Sequence, residues 1–266
     1  MDDVLPERVS FRTAVAIQFR VVGALVLREM RTRFGHSKLG YVWALGEPFV
    51  HIALLATIFS FLGRAPLLGT SMQVFFFTGL VPFMLFNKVS NSLTQTINAN
   101  RSLLAYPMVR PIDTLIGRTF LESATVLCSS LLVALLFFFL GYPVLPDDGL
   151  GVLAAIGAAV LLGAGAGTLN AAITIRFRAW ATIWSWIQLP SFIVAGIFFV
   201  ADQLPETIRD FVWWIPLTHA VVAFRDAYYS SYESNFLSMS FLMLVAFGLL
   251  SAGLLVLRAS RFKIYE

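Results

Sequence analysis

The sequence predicts an all-α membrane protein, and three observations carry that expectation. Of its 266 residues, 58% are hydrophobic and only 13% are charged, about half the charged share of an ordinary soluble domain. The apolar residues gather into stretches of roughly 20, the length that spans a bilayer. Lys and Arg gather in one set of the connections and ends, and the acids in the other. The first observation alone excludes a soluble globular enzyme and a disordered chain.

Residues 9–34 come first. Phe11, Val15, Val22, Leu25 and Val26 share one arc at helical pitch, with Arg20, Arg28 and Arg31 opposite. That pattern predicts an amphipathic helix lying in the headgroup layer. Six spans follow, at 41–62, 74–98, 114–140, 150–175, 181–200 and 236–257. Seven Lys or Arg precede the first span, and seven more lie beyond the second, fourth and sixth; the opposite connections hold Arg64, Arg209 and Arg225 among seven acids. Basic residues stay cytoplasmic, so both termini are expected there. The net charge of +4 then reads as topology rather than as nucleic-acid binding.

The second span turns polar halfway. Asn87, Asn91, Thr94, Gln95 and Asn98 form one stripe, and Phe86, Val89, Leu93 and Ile97 the other. An amide stripe leaving the membrane can line a wet passage for a hydroxyl-rich solute, since amides both donate and accept. The same stripe also suits a plain cytosolic extension.

In the following loop, Pro107 and Pro111 break helices, leaving Leu103, Leu104 and Tyr106 as exposed apolar residues on the cytoplasmic side. A short helix of that kind is either a docking peg for a soluble partner or a membrane-surface loop. Residues 204–229 are apolar but interrupted by Trp213, Trp214, Pro216, His219 and Arg225-Asp226. Two short helices dipping in from the outer face and turning near Pro216 fit that pattern. The tryptophans suit an interfacial belt. His219 and Arg225, ionisable and near the membrane, point to function.

Weaker marks complete the pass. Arg118 and Glu122 stand four apart in the third span and are expected to pair. Gly163, Gly165 and Gly167 in the fourth allow close helix contact. Trp180, Trp184 and Trp186 crowd the start of the fifth, either as an aromatic belt or as platforms for sugar rings. Lys38, Lys88 and Lys263 are the only lysines, and none sits in a phosphate-cradling G-x-x-x-x-G-K-[ST] loop. Any ATP is therefore expected on another chain. Cys128 is alone, and His36, His51 and His219 lack metal-site spacing.

Several segments resemble the ABC-2 type permeases that export polysaccharides, nearest to the capsular polysaccharide exporters, with the O-antigen permeases as near relatives. They are Arg31-Thr32-Arg33-Phe34-Gly35 and the run Leu-Gly-Tyr-Val-Trp-Ala-Leu-Gly-Glu-Pro from Leu39 to Pro48. The stretch 98–122 adds Leu103-Leu104, Pro107, Pro111 and Arg118, and Leu204-Pro205 continues through Pro216-Leu217-Thr218-His219 to Arg225. The resemblance implies two copies of this chain forming a conduit above two copies of a separate ATPase. ATP and Mg would sit on that ATPase, with no cofactor in this chain. It implies that 100–109 is the coupling helix, with Leu103, Leu104, Tyr106 and Pro107 in the contact. It makes 204–229 a re-entrant periplasmic gate, with Trp213, Trp214, Pro216, His219 and Arg225 in it. Where that family often has Asn before the gate proline and an acid between the His and the Arg, this chain has Ile215 and Val222-Ala223-Phe224.

The expected function is the permease half of an ATP-driven exporter of lipid-linked capsular polysaccharide in a bacterial inner membrane, with a periplasmic adaptor as a further partner. Arg31, Arg33, Arg176 and Arg178 are the candidates for holding the acidic or phosphorylated lipid end of the polymer at the entrance. Tyr41, Trp43, Asn87, Asn91 and Trp184 are the candidates for lining the path. Other classes stay open: an ABC-2 exporter of another lipid-linked or drug-like molecule, or a secondary transporter or channel with no ATPase. A membrane-bound transferase would need a convergent Asp/His/Glu set, and the acids opposite the cytoplasm are scattered.

Overall fold

The protein is described by a computed structural model over residues 11–34, 38–104 and 109–260, with the side chains of all of these except 11–16, 19, 32–34 and 38–45. Among the described residues the chain is helical, with no strand. The order is α1 (Phe11–Phe34), α2 (Lys38–Phe61), α3 (Met72–Ala99), the single turn α4 (Arg101–Leu104), α5 (Pro111–Phe139) and α6 (Gly149–Arg176). Then come α7 (Trp180–Val194), a 3-10 turn at Ala201–Gln203, α8 (Glu206–Trp213), α9 (Pro216–Tyr228) and α10 (Met239–Ala259).

Local chemistry sets several of these starts. The hydroxyls of Ser71 and Ser238 accept the backbone N–H of Val74 and Phe241, and the Asp148 carboxylate accepts that of Leu150; each satisfies an orphan donor of a first turn. Pro111 and Pro216 open α5 and α9, where a missing N–H costs nothing.

Among the described residues, α3, α5, α6 and α10 are long and apolar enough to cross a membrane. Helix α2 runs through the first expected span, 41–62, as far as Phe61, whereas the segment expected at 181–200 takes a shorter form. Helix α7 stops at Val194, because the chain turns there through Gly196, whose φ of +88° suits glycine. The helix of the last expected span begins at Met239 rather than 236, since residues 234–236 are held in a loop by Asp202.

Helix α6 is the centre of packing, between α3 and α10. A Cβ on Gly167 would stand 2.7 Å from Leu93 Cβ and 2.9 Å from the Ser90 carbonyl oxygen. One on Gly165 would stand 2.6 Å from the Ala246 carbonyl oxygen, and one on Gly253 of α10 2.6 Å from the Leu169 nitrogen. The glycine triplet thus serves two partners: Gly163 and Gly167 admit α3, and Gly165 admits α10. Helix α3 is buried along most of its length, whereas α10 is buried only at Leu242, Ala246, Gly253 and Leu257.

Of the α1 arc expected to face the headgroups, Val22, Leu25 and Val26 turn toward protein instead. Leu25 Cβ and Val26 Cγ2 each lie 3.7 Å from where a Cβ on Gly117 of α5 would be, and Leu25 is buried. The absent side chain at Gly117 makes room for them. Ile17, Leu27 and Met30 are exposed.

Gly167→Leu should force α3 and α6 apart at a cost of about 1–3 kcal/mol, seen as a lower melting temperature of purified protein. Gly157→Leu, at a position with no neighbour within 4 Å, should change stability by no more than about 0.5 kcal/mol. Equal melting temperatures for the two variants would contradict this account of α6.

Candidate functional site

The polar chemistry collects in three places along α3. The first is the end where α1, α4 and the C-termini of α3, α6 and α10 meet. Arg118 of α5 pairs with Glu29 of α1, lies 3.5 Å from Glu122 one turn on, and donates to Ser92 of α3. Ser92 Oγ donates to Glu122 at 2.9 Å. The expected Arg118–Glu122 pair is therefore part of a cluster joining α1, α3 and α5. Glu29 and Ser92 were not expected in it. Arg28 Nη1 reaches Asn100 Oδ1 at 3.4 Å beside it.

The described part of the segment expected to couple, residues 100–104 and 109, lies here, and one expectation about it is corrected. Leu104 is not an exposed peg. It is 1% exposed and packs with Val89, Leu93, Ile97 and Leu115, with Leu257 in the same cluster. Because α4 is a single turn against the bundle, the last of its two leucines must point inward. Leu103 is half-buried, and Arg101 and Ser102 are exposed. Tyr106 and Pro107 lie outside the described residues. Of the entrance candidates, Arg31 and Arg178 are exposed. Arg176 is exposed too, and its Nε approaches Ser260 Oγ at 3.3 Å, tying α6 to the end of α10. The side chain of Arg33 lies outside the described ones.

The second place is a groove of about 400 Å³ between α2, α3 and α7. Glu47, His51, Asn87, Lys88 and Gln188 supply its polar lining, and Leu80, Phe83, Met84, Leu189 and Phe192 the rest. Asn91 Nδ2 donates to Asn87 Oδ1 at 3.1 Å, and Asn87 Nδ2 donates to Gln188 Oε1 at 2.6 Å. Lys88 Nζ stands 2.7 Å from both carboxylate oxygens of Glu47. Of the path candidates, Asn87 and Asn91 are thus joined in one amide chain. Trp184 packs edge-on against Phe86 at 6.5 Å between ring centroids, outside the groove lining. The side chains of Tyr41 and Trp43 lie outside the described ones.

Sequence reasoning missed Lys88, Glu47, His51 and Gln188 as site residues. A signal was present in the lone acid of the first span facing the lone lysine of the second.

The third place is the opposite end, where the segment 204–229 is broken into α8 and α9 with the turn at Trp214 and Ile215. His219 is fully buried. The Ser238 backbone N–H donates to Nδ1 at 3.2 Å, so Nδ1 is an acceptor, and Nε2 donates to the Trp213 carbonyl at 2.8 Å. One neutral imidazole therefore staples the α8–α9 turn to the start of α10. Trp213 stacks on Phe241 at 4.9 Å, whereas Trp214 is 70% exposed.

Arg225 is 1% exposed. Its guanidinium donates to three carbonyls of the turn after α7: Gly196 at 2.7 Å, Phe199 at 2.8 Å and Ile197 at 3.1 Å. It lies 4.3 Å over the Phe75 ring. Gly79 is required beside it, since a Cβ there would stand 2.9 Å from Nη2. On the rim, Asp202 accepts from Ser234 Oγ at 2.7 Å and from the Asn235 and Phe236 backbone at 3.0 Å. The Ser230 N–H donates to Asp147 at 2.8 Å and holds that exposed carboxyl below its ordinary pKa.

A family model described as ABC-2 type transporter matches residues 20–229. The polysialic acid transport protein KpsM of Escherichia coli is 30% identical over 93% of this chain and 96% of its own. The capsule polysaccharide export inner-membrane protein CtrC of Neisseria meningitidis serogroup A is 27% identical over 94% of each. The O-antigen export system permease protein RfbA of Klebsiella pneumoniae is 22% identical over 93% of this chain and 95% of its own.

Arg225→Met would orphan three carbonyls, and the two buried ones, of Gly196 and Ile197, are worth about 1–3 kcal/mol each. The melting temperature of purified protein should fall by several degrees, and Arg225→Lys, lacking the planar fork, should recover only part of it. A wild-type melting temperature for Arg225→Met would show that the guanidinium does not hold the turn.

Proposed function

The chain belongs to the ABC-2 type transporter family, and from that premise we propose that it is the permease subunit of an ATP-driven exporter of lipid-linked capsular polysaccharide. The observation that carries the proposal is the groove between α2, α3 and α7. It sets an amide chain and an ion pair along apolar helices, the donor–acceptor lining that a hydroxyl-rich polymer needs. End-to-end likeness to proteins named for capsule export in the inner membrane supports the cargo and the location.

In this proposal α2 and α7 join the four long helices as spans, both termini are cytoplasmic, and α1 lies along that face of the membrane. Two copies form the conduit. The apolar side chains exposed beside the groove on α2 and α7, among them Leu54, Ile58 and Trp186, supply a surface for the second copy. The chain hydrolyses nothing itself. Two copies of a separate ATPase, carrying ATP and Mg, seat against residues 100–109.

Arg101, Ser102 and half-buried Leu103 make the contact, along with Tyr106 and Pro107. Leu104 transmits it, because a push on α4 reaches α3 and α5 through the cluster of Val89, Leu93, Ile97 and Leu115. Arg31, Arg33, Arg176 and Arg178 take the anionic lipid end of the polymer. Helices α8 and α9 dip in as the periplasmic gate, stapled by His219 and Arg225, and a periplasmic adaptor meets that face.

Deleting the chain should abolish surface capsule and leave polymer inside the cell, by immunostaining and fractionation; capsule that still reaches the surface overturns the export proposal. Arg101→Glu with Leu103→Asp should cut co-purification of a Walker-motif ATPase about tenfold while the permease still reaches the membrane. Unchanged retention removes α4 from the docking contact. Arg33→Ala with Arg178→Ala should leave that assembly intact and lower export several-fold; normal surface capsule would refute the entrance assignment.

A further inference from the structure

Glu47 and Lys88 sit where ionised groups are costly. Glu47 is nine residues into α2, and Lys88 is eleven residues from the end of α3, about three helical turns. Ionisable side chains at such depth are kept where they face a wet path or a partner. Here they do both: the pair is closed at 2.7 Å, yet the two side chains remain 31% and 26% exposed toward the groove. An ammonium carries three donors and a carboxylate about four acceptor sites, so both keep capacity beyond their mutual contact.

Beside them Gln188 is 9% exposed. Its Oε1 is taken by Asn87, and its Nε2 has no partner among the described residues. His51 Nδ1 donates to the Glu47 carbonyl at 2.9 Å. Phe83 and Phe192, edge-to-face at 5.1 Å, supply an apolar wall. The groove volume of about 400 Å³ lies within the range of about 300–1,000 Å³ for small-molecule sites.

We propose that Glu47, Lys88 and Gln188 form a sugar subsite that grips vicinal hydroxyls and takes no account of charge on the sugar. The proposal rests on the export function above and names the chemistry its groove selects. A vicinal diol donates to Glu47 and accepts from Lys88 and Gln188 while the ion pair stays closed. A carboxylate or phosphate that took Lys88 for itself would leave Glu47 unpaired beside a second anion, the arrangement a low-dielectric site penalises most. The ring's apolar face meets Phe83 and Phe192. Acidic and neutral pyranose units therefore bind alike, through hydroxyls that both possess.

The test uses the full permease–ATPase complex in nanodiscs, with p-benzoylphenylalanine replacing Leu189 at the groove and, as control, Ile116 on α5. Maltohexaose and a galacturonate hexamer are the probes, and labelling is read by mass spectrometry. Both probes should label the Leu189 site within about twofold of each other and should not label the Ile116 site. Lys88→Gln and Glu47→Gln should each lower labelling of both about tenfold, the loss of one hydrogen bond to a charged group. The reversed pair, Glu47→Lys with Lys88→Glu, should restore it. Should a charge variant fail to assemble, Gln188→Leu leaves the ion pair in place and carries the same expected loss.

Galacturonate labelled tenfold above maltohexaose, Lys88→Gln labelled like wild type, or no labelling at all overturns the subsite. If capsule export in cells still requires the chain, the export function stands without it. A chain dispensable for export overturns both.

Discussion

A buried guanidinium that spends its donors on three backbone carbonyls holds the rest of this structure in place. Backbone that leaves helical geometry inside an apolar bundle must find every hydrogen-bond partner within the protein. The turn at 195–200 does leave it, and Arg225 reaches in from α9 to satisfy Gly196, Ile197 and Phe199. That one contact allows α7 to end after 15 residues and the chain to return as two short helices. It also explains Gly79, since any side chain on α3 at that point would displace the guanidinium. His219 completes the arrangement by tying the Trp213 carbonyl to the Ser238 amide.

Helix α3 connects the three polar places. Its first half carries the Phe75 ring under Arg225, its middle carries Lys88 and the amide chain of Asn87 and Asn91, and its last turns carry Ser92 and the leucine cluster around Leu104. It packs on α6 through Gly163 and Gly167, with Pro82 between its first half and its middle. The cluster of Glu29, Ser92, Arg118 and Glu122 fastens α1 and α5 to the same helix.

The groove and the α7–α9 end use ionisable groups in opposite ways. Arg225 is sealed in and satisfied by carbonyls, a structural use of charge that leaves nothing for a passing solute. The Glu47–Lys88 pair is neutral as a unit, partly open, and flanked by an amide with donor capacity to spare. Burial and partner type, rather than residue identity, separate the two roles.

Much of the helix plan was legible in the sequence, because apolar length and helix-breaking residues are local. The third and fourth spans, the break near Pro216, the Arg118–Glu122 pair and the close-packing glycines depend on neighbours a few residues apart. Apart from the ends of the fifth and sixth segments, the misreadings concern which way a side chain faces. Leu104 was expected outside and is inside, because α4 is too short to present both leucines to solvent. Val22, Leu25 and Val26 were expected to meet lipid and instead meet α5, because Gly117 leaves space there.

By itself, then, the chain's residue order determined where helices begin and break and how its charge is distributed, since both follow from local composition. Only the tertiary structure decided that Lys88 closes on Glu47 across 41 residues, that Asn87 finds Gln188 across 101, and that Arg225 turns to carbonyls instead of an acid. Those are meetings of distant segments, and the packing of α3 on α6 sets them rather than any pattern along the chain.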